Sequence, residues 1–380
     1  MQYRRFGRTD RTLSVASLGT MRCLGSWETF RQTLDCALSL GINHLETAQG
    51  YGQSEQYLGR WLKTLPDRQR AAAALTLTTK IPPCPGADQM RHQIDQSLQR
   101  LGVEQIDSLA LHGVNTSEHL GWIQDPAGCM VAVREAIAAG QIGQVGFSSH
   151  GPLALILQIL QTGHFAFANL HYYYFWQRLE PAIALAHELD MGIFIISPAD
   201  KGGLLHRPPL LLQQLCQPLT PLEFTYRFLL ADPRITTLSL GPANPAELRG
   251  AIAQLPKPPY WGERESAIAN RLAQERRDRL GTSACEQCYA CLPCPEAINI
   301  PEVLRLRNLA LAYEMRDFGQ YRYRMFENAG HWFAGRRGDR CTDCGDCLPR
   351  CPEQLPIPAL LRQTHGLLRG KTRRRLWQED

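Results

Sequence analysis

Between residues 15 and 255 the chain runs about eight times through one cycle, a short apolar β-rich run followed by an amphipathic helical stretch. The runs read VASLGT (15–20), HLETA (44–48), LTLTTK (75–80), SLALHG (108–113), QVGFSS (144–149), FANLHYY (167–173), GIFIISP (192–198) and TTLSLG (236–241). They lack the polar alternation of a half-exposed sheet, as expected of parallel strands covered on both faces. In the intervening stretches Trp27, Phe30, Leu34 and Ala37 fall on one helical face before Gly41, and Met90, Ile94, Leu98 and Leu101 do so before Gly102. Eight alternating units predict an α/β chain closed into a (β/α)8 TIM barrel. A doubly wound open sheet is the rival, but the G-x-G-x-x-G that follows its first strand is absent. The turn GRTDRT within residues 1–14 predicts an N-terminal hairpin ahead of the barrel.

The 380 residues exceed one barrel of roughly 250 residues, so a second, smaller module is expected. The expected divisions are a barrel over 1–255, a Pro-rich linker and charged helix over 256–284, a mainly α-helical module over 285–370, and a basic tail over 371–380 whose KTRRR run reads as solvated. Further helices are expected over about 263–280, 301–329 and 356–368. No apolar run of about 18 residues predicts a membrane span, and MQYRRFGRTD has no signal-peptide core, so a cytoplasmic location is expected. A net charge of +5 is too mild to imply nucleic acid.

A barrel enzyme carries its catalytic groups at the C-terminal ends of its strands. There the sequence places Glu46, closely followed by Tyr51, then Lys80, then His112. Singly, a Tyr before Gly is a turn residue and a strand-end Lys is solvated. Together at one rim, the four suit carbonyl reduction. Hydride adds to the carbonyl carbon, and the oxygen then needs a proton. A phenol with a pKa of about 10 is a poor acid at neutral pH, and a neighbouring ammonium lowers that value by stabilising the phenolate. A carboxylate keeps the ammonium charged, and an imidazole N–H orients the oxygen.

The block NHLETAQGYGQSEQYLGRWL, then TTK, then LALHG, resembles the aldo-keto reductase family over roughly residues 1–255. The resemblance implies an NAD(P)H-dependent oxidoreductase acting on a small carbonyl, with Tyr51 as proton donor, Lys80 tuning it and His112 orienting the substrate. Glu46 stands where the family pattern has Asp. The resemblance further implies nicotinamide contacts at Ser148 and Ser149 of GFSSH, with Ser149 in place of the usual Asn, at Asn169 of FANLHYY, and at Gly19 and Thr20. SPADKGGLL (197–205) resembles the family's phosphate loop, with Ser197, Lys201, Gly202 and Gly203. GPANPAEL (241–248), with Gly241 and Asn244, resembles the segment that opens a helix toward the adenosine phosphates. The plain alternative is that these are ordinary βα loops. NADP is the family habit and NAD the alternative, with Arg249 as a candidate for the 2′-phosphate. His150 and His171 sit near strand ends and read as structural.

Of the thirteen cysteines, Cys23, Cys36, Cys84, Cys129 and Cys216 are scattered and read as core or loop thiols. The other eight form CEQCYACLPCP (Cys285, Cys288, Cys291, Cys294) and CTDCGDCLPRCP (Cys341, Cys344, Cys347, Cys351). Triplets spaced two apart, followed by Cys-Pro, are the pattern of two-cluster ferredoxins, in which the fourth cysteine ligates the other cluster. Two [4Fe–4S] clusters are therefore expected, one on Cys285, Cys288, Cys291 and Cys351, the other on Cys341, Cys344, Cys347 and Cys294. Zinc on four cysteines is the alternative. The helical spacer between the groups resembles an α-helical ferredoxin domain, and reductases with such a tail form a subgroup that this chain resembles end to end.

Nicotinamide passes two electrons as hydride, whereas a cluster passes one. The clusters are thus expected to relay electrons to the barrel, or to be structural or redox-sensing. An alternative is an electron-transfer or sensing protein with a weakly active or inactive barrel. RDFGQYRYRMF (316–326) could dock an acidic carrier such as ferredoxin, or be a helix with aromatics inward and arginines solvated.

Overall fold

Each of the eight apolar runs becomes one strand of a closed parallel barrel. After an antiparallel hairpin of β1 (Tyr3–Arg5) and β2 (Thr12–Ser14) come β3 (Ala16–Gly19), β4 (His44–Glu46), β5 (Thr76–Ile81), β6 (Ile106–Leu111), β7 (Ile142–Ser149), β8 (Phe167–Leu170), β9 (Gly192–Ile196) and β10 (Thr237–Leu240). The barrel closes by pairing β10 with β3. The structure is a computed structural model and describes residues 1–66, 74–199, 201, 203–257 and 260–370. Gly202 and the KTRRR run lie outside the described residues.

Local chemistry sets the helix ends. Ser26 accepts a hydrogen bond from the Thr29 N–H at 3.1 Å and starts the helix Trp27–Ser39. Gly102, at φ +62°, stops the helix Ala87–Leu101 in a left-handed cap.

The hairpin decides which mouth of the barrel stays open. Its Phe6 is fully buried, with its ring 5.2 Å from that of Phe167 at the start of β8 and 6.2 Å from His44 at the start of β4. Gly192, at the start of β9, has no room for a side chain, because a Cβ there would lie 2.2 Å from the Phe6 ring. The N-terminal ends of the strands are therefore plugged, and the C-terminal ends are left for chemistry.

The barrel interior holds a polar layer that the sequence did not announce. His44 is fully buried, with Nδ1 2.6 Å from Ser17 Oγ and Nε2 2.7 Å from Thr78 Oγ1, and Ser17 Oγ reaches Thr237 Oγ1 at 2.7 Å. Both ring nitrogens are thus satisfied while the ring stays neutral. Burial, assisted by the charge of Lys80, lowers the imidazole to about 3.

The chain divides into two compact units, Met1–Pro198 with Thr225–Tyr260, and Ala199–Phe224 with Trp261–Asp380. Compared with the expected boundary at 255, the second unit also includes the segment that leaves the barrel after β9. Local bonds hold that segment in its unit. Arg271, on the helix Glu263–Leu280, donates to the carbonyl of Leu215 at 3.1 Å and to that of Gln217. The rings of Phe224 and Trp261 lie 5.5 Å apart. The remaining helices of this unit are Ile300–Ala312, Arg316–Tyr323 and Ile357–Leu368, besides Leu210–Cys216.

Over 316–326 the aromatics Phe318, Tyr323 and Phe326 are buried, as the inward-facing reading expects. Arg322 departs from both readings of that segment. It is 6% exposed, and its guanidinium lies 4.2 Å from the Phe333 ring centroid, a cation–π contact that takes it out of solvent. Among the described residues no helix is long and apolar enough to cross a membrane.

His44 makes barrel stability depend on pH. Its folded value lies below the ordinary 6.5, so between about 3 and 6.5 the unfolded chain binds the extra proton and stability falls with pH. Going from pH 7 to pH 5 is expected to cost about 2 kcal/mol from this residue. Guanidinium unfolding of the barrel at the two pH values, in wild type and His44→Gln, measures it, and the difference shrinks in the variant.

Candidate active site and cysteine-lined loops

Parallel pairing brings Glu46 at the end of β4 beside β5, whose Lys80 projects into the same layer. The two side chains form an ion pair and are almost completely buried, Lys80 at 2% and Glu46 at 5% exposure. Lys80 Nζ also donates to the Thr47 carbonyl at 3.0 Å, and Ser239 Oγ on β10 donates to Glu46 Oε1 at 2.8 Å. Gly19 faces Glu46 in register, and a Cβ there would approach Glu46 Oε1 to 2.8 Å. The absent side chain of Gly19 is therefore the space that the longer Glu carboxylate occupies.

Tyr51 lies on the turn after β4, half-buried, with its ring centroid 5.0 Å from Lys80 Nζ. The Lys80 ammonium acts electrostatically on the Tyr51 hydroxyl, and the phenol in turn on the ammonium. His112, which directly follows β6, sets its ring edge-on to Tyr51 at 5.7 Å and 83°. The four side chains picked from strand ends are thus brought together at the open mouth.

The electrostatics differ in sign from the sequence expectation. Burial is the largest influence on Tyr51 and pushes the phenol up; Lys80 pulls it down, Glu46 pushes it up, and the net is upward. For Lys80, burial opposes the charge, but Glu46 and Tyr51 outweigh it and hold the ammonium above its ordinary value.

The remaining barrel positions are distributed as follows. Ser148 and Asn169 face each other across β7 and β8. Ser148 Oγ accepts from the Gly113 N–H at 3.0 Å. The Asn169 amide is fully buried, and neither of its polar atoms has a partner. Ser149 Oγ is already engaged, donating to the Val114 carbonyl at 2.7 Å and accepting from Gly151 N–H at 3.0 Å. Thr20 Oγ1 donates to the Glu46 carbonyl and accepts from Ser54 Oγ, at 3.0 and 2.7 Å. Ser197 follows β9 at φ +51°. Lys201 and Gly203 belong to the second unit, where a Cβ on Gly203 would meet Met315 at 2.6 Å. Gly241 is exposed, and its carbonyl accepts from Arg22 at 2.9 Å. Asn244 caps the helix Pro245–Ala253, accepting from Glu247 N–H at 3.0 Å. Arg249 is exposed, and the rings of His150 and His171 lie 4.3 Å apart.

In the second unit none of the eight clustered cysteines is joined in a disulfide. The two loops that carry them have matching backbones. Gln287 (φ +55°) and Tyr289 (φ +63°) flank Cys288, and Asp343 (φ +58°) and Gly345 (φ +81°) flank Cys344. Three residues after each Cys-Pro cysteine, Ala297 (φ +54°) and Gln354 (φ +50°) repeat the same kink. Left-handed residues interleaved this way turn successive N–H groups inward, which makes a cradle for an anion. Four cysteines, Cys294, Cys341, Cys344 and Cys347, line one cavity together with Ile298 and Leu361. Cys285 lies within electrostatic reach of Cys288 and Cys351, and Cys291 of Cys285 and Cys288. Burial, helped by these neighbours, pushes the Cys291 thiol up to about 12. Among the described residues no three His, Cys, Asp or Glu side chains converge to hold a single metal ion.

Sequence reasoning missed Ser239 and Thr47, which complete the Lys80–Glu46 cage. The signal for Ser239 was a hydroxyl set between two leucines in the run TTLSLG.

Two family models match different parts of the chain. The aldo/keto reductase family model matches residues 17–208, and a 4Fe-4S dicluster domain model matches residues 284–355. The chain is 27% identical over 229 residues to L-glyceraldehyde 3-phosphate reductase of Escherichia coli O157:H7, spanning 54% of this chain and 57% of that protein. It is 23% identical over 327 residues to the uncharacterized oxidoreductase YqkF of Bacillus subtilis, spanning 76% of this chain and 98% of that protein. Among solved structures, the holo form of aldo-keto reductase AKR11C1 from Bacillus halodurans superposes with a TM-score of 0.61 at 25% identity, covering 71% of this chain and 96% of that one.

Because Glu46 and Lys80 neutralise each other out of water, removing one leaves a buried charge. Lys80→Met is expected to destabilise the barrel by about 3–5 kcal/mol, and Lys80→Met with Glu46→Leu to recover most of that loss. Denaturant midpoints of the single and double variants check it.

Proposed function

The chain belongs to the aldo/keto reductase family and carries a C-terminal 4Fe-4S dicluster domain, and from that premise we propose that its barrel is an NAD(P)H-dependent reductase of a small aldehyde or ketone and that its second unit holds two [4Fe–4S] clusters. The observation that carries the barrel reading is the line Glu46–Lys80–Tyr51, with His112 edge-on to it, at the unplugged mouth.

The residues present fit a nicotinamide. A fully buried amide with both polar atoms unpartnered, as at Asn169, needs a ligand group that both donates and accepts, which a carboxamide does. A bound reduced nicotinamide would supply the hydride. Tyr51 would give its proton to the carbonyl oxygen. Its raised phenol is fully loaded at neutral pH, and the fixed charge of Lys80 lowers the cost of the phenolate left behind. Glu46 and Ser239 hold Lys80 in place, and His112 orients the oxygen from the other side. Ser148, Gly19 and Thr20 would contact the nicotinamide end, while Gly241 and Asn244 open the helix expected to face the adenosine end. NADP is the proposed form of the cofactor.

The cysteine loops fit clusters on three counts. The N–H cradles are paired, four cysteines ring one cavity, and the side-chain nitrogen of Gln287 is buried without a partner inside the first loop, where a cluster sulfur would accept from it. Cys285, Cys288, Cys291 and Cys351 form one set, and Cys341, Cys344, Cys347 and Cys294 the other. Thiolates of this kind persist in a reducing compartment, which supports a cytoplasmic location.

A second reading, an electron-transfer or redox-sensing protein with a nearly inactive barrel, draws on Ser149, whose hydroxyl is committed to its own loop.

Two measurements test these readings. Tyr51→Phe is expected to lower kcat/KM for NADPH-dependent aldehyde reduction by about 10²–10⁴-fold with NADPH binding retained. A wild-type protein that turns over none of a panel of aldehydes and ketones favours the second reading. Anaerobic purification is expected to give a brown protein with about eight irons and as many sulfides per chain. Stoichiometric zinc with no sulfide overturns the cluster assignment.

A further inference from the structure

The two cysteine groups sit in repeated surroundings, and the repeat is broken by charge. After each Cys-Pro the chain turns and opens a helix on Ile-Pro, Ile300–Ala312 in one half and Ile357–Leu368 in the other. Position by position, Ser283 ahead of Cys285 corresponds to Asp339 ahead of Cys341. Asn308, which donates to the Cys285 carbonyl at 2.9 Å, corresponds to His365, which lies 3.5 Å from Asp339. In that alignment Arg307 corresponds to Thr364.

Arg307 is 4% exposed, and its partners are all neutral. It donates to Gln363 Oε1 at 2.8 Å, to the Ser283 carbonyl at 3.2 Å and to Ser283 Oγ at 3.1 Å. Burial weighs against its charge, and the neighbouring Cys285 favours it. A buried guanidinium without a carboxylate is costly unless an anion completes the site. At the matching position the second half carries no charge. Thr364, fully buried, returns its hydroxyl to the Leu360 carbonyl at 2.7 Å. Arg362, near Cys341, is 57% exposed and paired with Asp343 at 2.7 Å, and Arg350 bonds the carbonyls of Asp346 and Pro293 from a solvent-facing position.

Resting on the cluster reading above, we infer that Arg307 is a potential-setting residue that makes the cluster on Cys285, Cys288, Cys291 and Cys351 the higher-potential of the two. One-electron reduction adds a negative charge to a group that is already an anion, and a buried cation at that site stabilises the reduced form. The first electron from a low-potential one-electron donor therefore rests on this cluster, and the set on Cys341 fills second.

Potentiometric titration of the anaerobically purified full chain, with dithionite as reductant and electron paramagnetic resonance as readout, tests this. Wild type is expected to show two one-electron waves. Arg307→Gln lowers the upper wave by an amount equal to about a tenfold change in the reduction equilibrium, ~59 mV, and leaves the lower wave in place. Arg307→Lys retains most of the gap. If Arg307→Gln takes up no iron, Gln363→Glu serves instead, because it sets a carboxylate against the same guanidinium and lowers the same wave. Two waves unmoved at full iron and sulfide content, movement of the lower wave alone, or wild-type clusters that titrate together each overturn the inference. A wild-type chain without iron and sulfide removes the cluster reading itself.

Discussion

The open mouth of the barrel is organised by a carboxylate and an ammonium held out of water on neighbouring strands. Each ion would cost several kcal/mol alone in the interior, so the pair constrains everything around it. Gly19 must lack a side chain so that Glu46 can fit, Ser239 must bring a hydroxyl from β10 to the second carboxylate oxygen, and the Thr47 carbonyl must turn inward to accept from Lys80. Four strands, β3, β4, β5 and β10, are tied to one charge pair. Tyr51 reaches the pair because its turn is tight, with Gly52 at φ +55°.

The opposite end shows the converse. Phe6 fills the N-terminal mouth against Phe167 and Phe194, and its burial contributes roughly 1.5–3 kcal/mol of hydrophobic stabilisation. With one mouth closed by an apolar plug and the other lined by titratable groups, the asymmetry between stability face and chemistry face follows from where the hairpin packs.

In the second unit the anion-seeking element is backbone. Six residues outside ordinary β and α geometry, five of them not glycine, repeat at matching positions of the two loops. Strain of that kind persists where surroundings over-determine it, which is the expected setting of a bound cluster. Between these cradles lies the helix Ile300–Ala312, whose Glu302, Arg305, Arg307 and Asn308 are all buried. The Glu302–Arg305 pair, at 2.6 Å, is internally neutral. Arg307 instead has neutral partners, Gln363 and Ser283.

Strand-forming runs, their number, the hairpin signal, the order of the four rim residues and the spacing of eight cysteines were all legible in the sequence, because each is a local pattern with a fixed chemical meaning. The sign of the Tyr51 shift was not, because desolvation depends on every atom that excludes water from the phenol, and that set is assembled from several strands. Nor was the inward turn of Arg322 or Arg307, since a charged residue on a helix reads as solvent-facing until a ring or a pair of neutral acceptors is brought to it from elsewhere in the chain. The sequence by itself determined which groups could do chemistry and in what order they come. The tertiary structure alone decided which of them lose water and which remain paired, because burial is a property of long-range packing.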